Sequence, residues 1–272
     1  MLAHALKERL AKGELTLGPM LTYDFWPGYI EIFKQLGYHF VFVDCEHGAA
    51  TTREIEELCR VARLVDLPVL LRVESAVYHL IRKWLDMGPA GLIVPWVEEM
   101  TQVETLREGA YLAPKGRRGP GGPGNFWAAN FFRDGWDAVE RDLCLVVQFE
   151  TPKGVERAAE LAAPDWVHAG LIGPYDLSMN LGRLCQMDDP LVVASIERAL
   201  AGCRRSGKPC GMVIATPEQA KFWMDRGFRF LVTGEVSGWV RQHGAWLKDQ
   251  IEKLQSSPGA TRTTGRRALP GE

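Results

Sequence analysis

Eight short apolar runs, rich in β-branched and aromatic residues, recur along the chain at 16–21, 39–46, 68–73, 90–96, 143–150, 166–173, 209–214 and 228–236, with helical patterning between them. Strands buried on both faces read as continuous apolar runs, and strands that alternate with helices pair in parallel. Eight is the number of units that closes the common α/β barrel, so the pattern predicts a (β/α)8 TIM barrel with a parallel eight-stranded core. An open doubly wound sheet is the competing arrangement, but no GxGxxG fingerprint follows the first run, and eight units suit closure better. The length of 272 residues fits one barrel of about 250 residues. The chain is therefore read as a single barrel domain over 1–255. The remainder, 256–272, is almost free of apolar residues and is read as a disordered tail.

Helix-start signals fall where this assignment needs them. Thr51 and Glu54 have the spacing of a capping box before Ile55, Leu58, Ala62 and Val65, which are apolar positions at helical spacing. Thr151-Pro152 and Thr216-Pro217 each offer an N-cap followed by proline at the first helical position. One stretch is irregular: 109–142 carries GRRGPGGPG and then NFWAANFF, and is read as a long loop over the site. Its portion 116–132 holds Phe126, Trp127, Phe131 and Phe132, expected to pack against substrate or a neighbouring subunit, or merely to cover the barrel edge. The glycine run lacks the GK[ST] ending of a phosphate-binding loop.

Composition narrows the function classes. With 46% hydrophobic and 24% charged residues the chain can bury a sizeable core. Its 32 basic and 34 acidic residues nearly cancel, and without a concentrated basic surface nucleic acid is not an expected partner. No apolar run approaches the roughly 20 residues of a membrane span, and the N-terminus lacks the pattern of a signal peptide. The six scattered cysteines, at 45, 59, 144, 185, 203 and 210, suit reduced thiols in a cytoplasm better than a disulfide framework or a zinc site.

In such a barrel the active site lies at the carboxyl ends of the strands, so the polar residues there carry the reading. The second run ends VDCEHG, with Asp44, Glu46 and His47; the third ends at Arg72; the fifth ends in Gln148 and Glu150; the sixth leads into GPYDLS with Asp176. Glu150 and Asp176 are one strand-helix-strand step apart and would present two hard carboxylates side by side, a donor set for Mg²⁺ or Mn²⁺, with Co²⁺ as another divalent candidate. Each is alternatively a solvated loop acid or a helix cap. His47 at a strand end could be a general base, or a structural histidine. Asp86 lies near the apolar face of the following helix, where it could orient that imidazole or be a plain surface aspartate. Arg72 could stabilise an oxyanion or simply snorkel from the rim.

Taken as a set and in this order, FVFVDCEHG, PVLLRV, PKGRRGPGG, VVQFETPKGVE and GLIGPYDLS resemble the HpcH/HpaI family of pyruvate aldolases over roughly residues 10–255. The resemblance implies a class II, metal-dependent aldolase of the phosphoenolpyruvate/pyruvate superfamily, cleaving or forming 4-hydroxy-2-oxo acids to give pyruvate and an aldehyde through a metal-stabilised enolate. Residue by residue it implies His47 as base, Asp86 as the residue that raises its basicity, Arg72 as oxyanion stabiliser and Gln148 as a substrate contact. Glu150 and Asp176 fall on the metal ligands, and Gly173, Pro174 and Tyr175 on the backbone holding the pyruvate carboxylate. It also implies a homo-oligomer, a hexamer with sites near subunit interfaces. Two departures touch the aldehyde half: Tyr175 stands where many members have alanine, and NFWAANFF replaces a smaller, more basic pattern. A condensing enzyme resembling citrate synthase and an inactive binding barrel are the alternatives.

Overall fold

The computed structural model describes residues 2–123 and 135–256. The elements run α1 (Leu2–Ala11), β1 (Thr16–Leu21), α2 (Gly28–Gln35), β2 (Val41–Asp44), α3 (Thr52–Val65), β3 (Val69–Arg72), α4 (Tyr78–Leu85), β4 (Gly91–Val94) and α5 (Met100–Ala110). They continue with α6 (Gly135–Asp142), β5 (Cys144–Phe149), α7 (Pro152–Glu156), α8 (Ala158–Ala162), β6 (Ala169–Ile172), α9 (Pro174–Asn180), α10 (Pro190–Arg205), β7 (Cys210–Val213), α11 (Pro217–Asp225) and β8 (Phe230–Glu235). Each strand pairs in parallel with the next, and β8 returns to β1, closing an eight-stranded barrel as the run count predicts.

The caps read from sequence are present. Thr51 Oγ1 accepts from the Glu54 amide at 3.3 Å while Glu54 Oε2 accepts from the Thr51 amide at 2.8 Å. Thr151 and Thr216 cap α7 and α11 by accepting from Gly154 N and Gln219 N, each with proline next in line. These bonds satisfy amides that a helix start otherwise leaves without partners.

Side chains alternate across a strand, so every second residue enters the barrel. The interior cluster contains Phe40, Phe42, Leu70, Cys144, Val146, Ala169, Leu171, Phe230 and Val232. Continuing the same period of two toward the strand ends places Asp44, Arg72, Gln148, Glu150 and Gly173 on the inward columns, above the apolar floor. At the other end Ala3, Leu6 and Leu10, on one face of α1, join the cluster and close the barrel bottom. Each leucine buried there contributes roughly 1.5–3 kcal/mol. The floor is tight: a Cβ on Gly18 would come 2.4 Å from the Phe40 ring.

The compact barrel unit ends at Glu235, and Val236–Glu272 forms a second unit whose described part is the helix α12 (Val236–Ser256). Of the tail read from sequence, Ser256 is the last residue of α12 and the others lie outside the described residues. No described helix is long and apolar enough to cross a membrane.

Candidate active site at the barrel mouth

The carboxyl ends of β2, β3 and β5 and the loop after β4 converge on one buried ionic cluster. Arg72, 7% exposed, ends β3 and lies opposite Asp44 in the β2–β3 register. Its guanidinium donates from Nε to Asp44 Oδ1 at 2.9 Å and from Nη2 to Asp44 Oδ2 at 2.7 Å. Glu46 Oε2 lies 3.1 Å from the same Nε, and Glu150 Oε1 lies 3.8 Å from Nη1. Burial by itself would lower the Arg72 pKa; the Asp44 hydrogen bonds and the charges of Asp44, Glu46 and Glu150 outweigh it and raise the value. Asp44 is further fixed by the amides of Glu46 and His47, which donate to Oδ1 at 3.0 and 3.3 Å. The strand end and the turn after it are thus one rigid piece.

Glu150 follows β5 and is 1% exposed. Its Oε2 accepts from the Trp96 amide at 3.3 Å, and its Oε1 takes the Gln148 side-chain amide. Burial pushes its carboxyl up to about 8; Arg72 pulls it down, and Glu46 and Asp176 push it up again. Glu46 is raised by burial too, against the pull of Arg72 and His47. Among the described residues this mouth holds Asp44, Glu46, Glu150 and Asp176 around Arg72, an excess of negative charge that a divalent cation would relieve. Gln148 Oε1 is buried with no hydrogen-bond partner, so the mouth also keeps an acceptor open to a donor. A Cβ on Gly173 would lie 2.5 Å from Glu150 Oε1 and 2.6 Å from Gln148 Nε2, so a larger residue here must displace the ends of both side chains. Pro174 opens α9, and Asn180 ties that helix to β5 by donating to the backbone oxygens of Glu150 (3.0 Å) and Asp176 (2.9 Å). Among the described residues no group of three or more His, Cys, Asp or Glu forms a closed metal cage. Two carboxylates with open positions suit a site completed by substrate and water.

The structure therefore brings together Arg72, Gln148, Glu150, Asp176 and Gly173. His47 stands at the rim with its side chain 54% exposed and Nε2 3.7 Å from Glu46 Oε2. Tyr175, next to Asp176 in sequence, is exposed on the first turn of α9. Asp86 is not in this group. It follows the last residue of α4, and since helices of such a barrel run antiparallel to the strands, it sits toward the opposite end of the barrel from His47. Its carboxylate pairs with the buried Arg118 guanidinium at 3.2 Å. The described part of the glycine loop goes with it: Arg117 packs on Tyr78, and Gly122 presses against Asp86. Up to residue 123 the loop thus contacts both ends of α4, with buried Arg118 meeting the Asp86 charge. Phe126, Trp127, Phe131 and Phe132 lie outside the described residues.

Two contributors went unread in the sequence. Trp96, just past β4, adopts φ +52°, donates its indole N–H to Glu46 Oε1 at 3.2 Å and its amide to Glu150. Asn180 is the other; only the regular helical spacing from Asp176 could have signalled it.

The chain matches the HpcH/HpaI aldolase/citrate lyase family over residues 25–239. It is 35% identical over 233 residues to a hydroxypyruvate/pyruvate aldolase of Delftia acidovorans, covering 81% of this chain and 84% of that one. It is 30% identical over 243 residues to a 2-keto-3-deoxy-L-rhamnonate aldolase of Shigella boydii, covering 86% and 88%. Among solved structures, an HpcH/HpaI aldolase from Desulfitobacterium hafniense superposes with a TM-score of 0.81 at 27% identity, over 94% of this chain and 98% of that one. The barrel, the carboxylate-and-arginine mouth and these relatives agree, and the chain belongs to the HpcH/HpaI aldolase/citrate lyase family.

Proposed function

We propose that this chain is a class II pyruvate aldolase, a carbon–carbon lyase that cleaves or forms 4-hydroxy-2-oxo acids at the barrel mouth with the help of a divalent cation. The observation that carries the reading is the Asp44–Arg72–Glu150 cluster, in which a buried, immobilised guanidinium faces a carboxylate whose proton affinity is raised by burial and by Asp176.

Glu150 and Asp176 would hold Mg²⁺ or Mn²⁺, because hard oxygen donors with unfilled positions suit these ions. When bound, the ion supplies Lewis-acid polarisation of the 2-oxo acid carbonyl. Arg72 steadies the negative charge that grows on the 2-oxo oxygen as the carbon–carbon bond breaks; Asp44 fixes its position in advance, so little reorganisation is needed. Gln148 and the turn Gly173, Pro174 and Tyr175 seat the acid end of the substrate, the glycine leaving the room that a Cβ would take. His47, at the rim, moves the proton of the substrate's 4-hydroxyl. Tyr175 borders the aldehyde half. Asp86 has no part in this set within one chain, since Arg118 holds it.

The names of the relatives support pyruvate or hydroxypyruvate as the nucleophilic partner. Five buried cysteines and one exposed, all free, support action in a reducing cytoplasm, and the family resemblance supports a homo-oligomer. The test is a screen of pyruvate and hydroxypyruvate against short hydroxyaldehydes, with added Mg²⁺ or Mn²⁺ and product identification. Aldol products that vanish with chelator and in Glu150→Gln and Asp176→Asn are expected. Full turnover in chelated enzyme or in either variant overturns the metal assignment, and the absence of any aldol product overturns the activity.

A further inference from the structure

At the end of the barrel opposite the mouth, α1, α6 and the approach to β6 enclose a cleft of about 490 Å³, with Lys7, Tyr111, Lys115, Glu140, Arg141 and His168 among its walls. The backbone N–H of Leu145 meets His168 Nδ1 at 3.0 Å. A backbone amide can only donate, so Nδ1 accepts, and a neutral imidazole with an accepting Nδ1 carries its proton on Nε2. That Nε2–H faces Lys7 Nζ at 3.5 Å. Against an ammonium it would set two donors face to face; against a neutral amine it meets a lone pair. The amine keeps an acceptor for one of its hydrogens in the Arg141 carbonyl.

The surroundings agree with this assignment. Burial holds the His168 imidazole down to about 3, with Lys208 adding to the effect. Burial also lowers the Lys7 pKa, against the opposing pull of Cys144 and Asp142, and Arg141 lowers it further. The neighbouring Lys115 is paired with Glu140 at 3.1 Å instead.

We propose that Lys7 is a carbonyl-reactive amine and that this cleft is a second site, which takes small aldehydes by reversible imine formation. The Lys7 nitrogen adds its lone pair to the aldehyde carbon, and the carbonyl π electrons move to oxygen. The two nitrogen-bound hydrogens leave with that oxygen as water, so the step consumes neither oxidant nor reductant. The aldehyde is the class of compound that aldol cleavage releases; only that choice of source rests on the proposed function.

The experiment treats the full-length enzyme with glycolaldehyde and sodium cyanoborohydride at pH 7.5, and follows each lysine by peptide mapping, which separates the α-amino group of Met1 from Lys7. Exposed lysines such as Lys221 and Lys248, paired with Asp225 and Glu252, serve as references for ordinary surface amines. Lys7 is expected to be labelled at least about fivefold faster than either, and equally fast in Glu150→Gln, so that a failure of the aldolase reading leaves the result intact. Lys7 labelled no faster than Lys221 and Lys248 overturns the proposal.

Discussion

Arg72 presents Nε and Nη2 to the two oxygens of Asp44, at 2.9 and 2.7 Å, and leaves Nη1 facing Glu150 at 3.8 Å. The fork spends two donors on holding the group still and leaves the third edge for chemistry. A planar guanidinium can do both at once, whereas an ammonium on a flexible stem cannot.

Arg72→Lys should therefore lower kcat for both aldol cleavage and oxaloacetate decarboxylation by about 10²–10³-fold, the range for losing one donor to a developing oxyanion. Both reactions pass through the same enolate. Steady-state rates on the two substrates check it, and decarboxylation at the wild-type rate would remove Arg72 from the enolate step.

His47→Ala should separate the two reactions. Cleavage should fall by about 10²–10⁴-fold, the usual worth of a positioned base, while decarboxylation, which has no 4-hydroxyl to deprotonate, should change little. The side chain is 54% exposed, so thermal stability should stay within about 0.5 kcal/mol of wild type. Equal losses in both reactions would count against the role.

Gly173→Ala tests the packing of the mouth. The added methyl would come 2.5 Å from Glu150 Oε1 and 2.6 Å from Gln148 Nε2, displacing the side chains assigned to cation and substrate. Cleavage should drop at least tenfold with the far-ultraviolet dichroism of the barrel unchanged. A wild-type KM and kcat would show that these side chains have room to yield.

His168 sets an acid limit on stability. Its pKa is pushed down to about 3 by burial, against about 6.5 in an unfolded chain. Between those values the unfolded chain binds more protons, so stability rises with pH through this window and is lost as pH falls from 6.5 toward 3. His168→Asn offers Leu145 N–H an uncharged acceptor, so its Tm should fall less between pH 7 and 4.5 than that of the wild type. Parallel Tm curves would mean that other groups set the acid limit.

Much of the mouth was legible because it lies at strand ends. VDCEHG, LLRV and QFE each break a buried apolar run with charge, and period-two alternation carries Asp44, Arg72, Gln148 and Glu150 inward above Phe42, Leu70 and Val146. Trp96 could not be read, because its role follows from a φ of +52° that a non-glycine residue seldom adopts. The Asp86–Arg118 pairing was hidden for a related reason: helical spacing sets a residue's face, not which end of the barrel it reaches or which cation lies there.

The sequence by itself determined the number and order of the strands, along with the helix starts at Thr51, Thr151 and Thr216, because apolar runs and capping depend on residues only a few positions apart. Tertiary structure alone decided that Arg72 is gripped by Asp44, that Asp176 bears on Glu150 and that His168 turns Nε2 toward Lys7. Those relations appear only when β8 closes on β1 and brings distant segments within hydrogen-bonding range, a distance that no local pattern encodes.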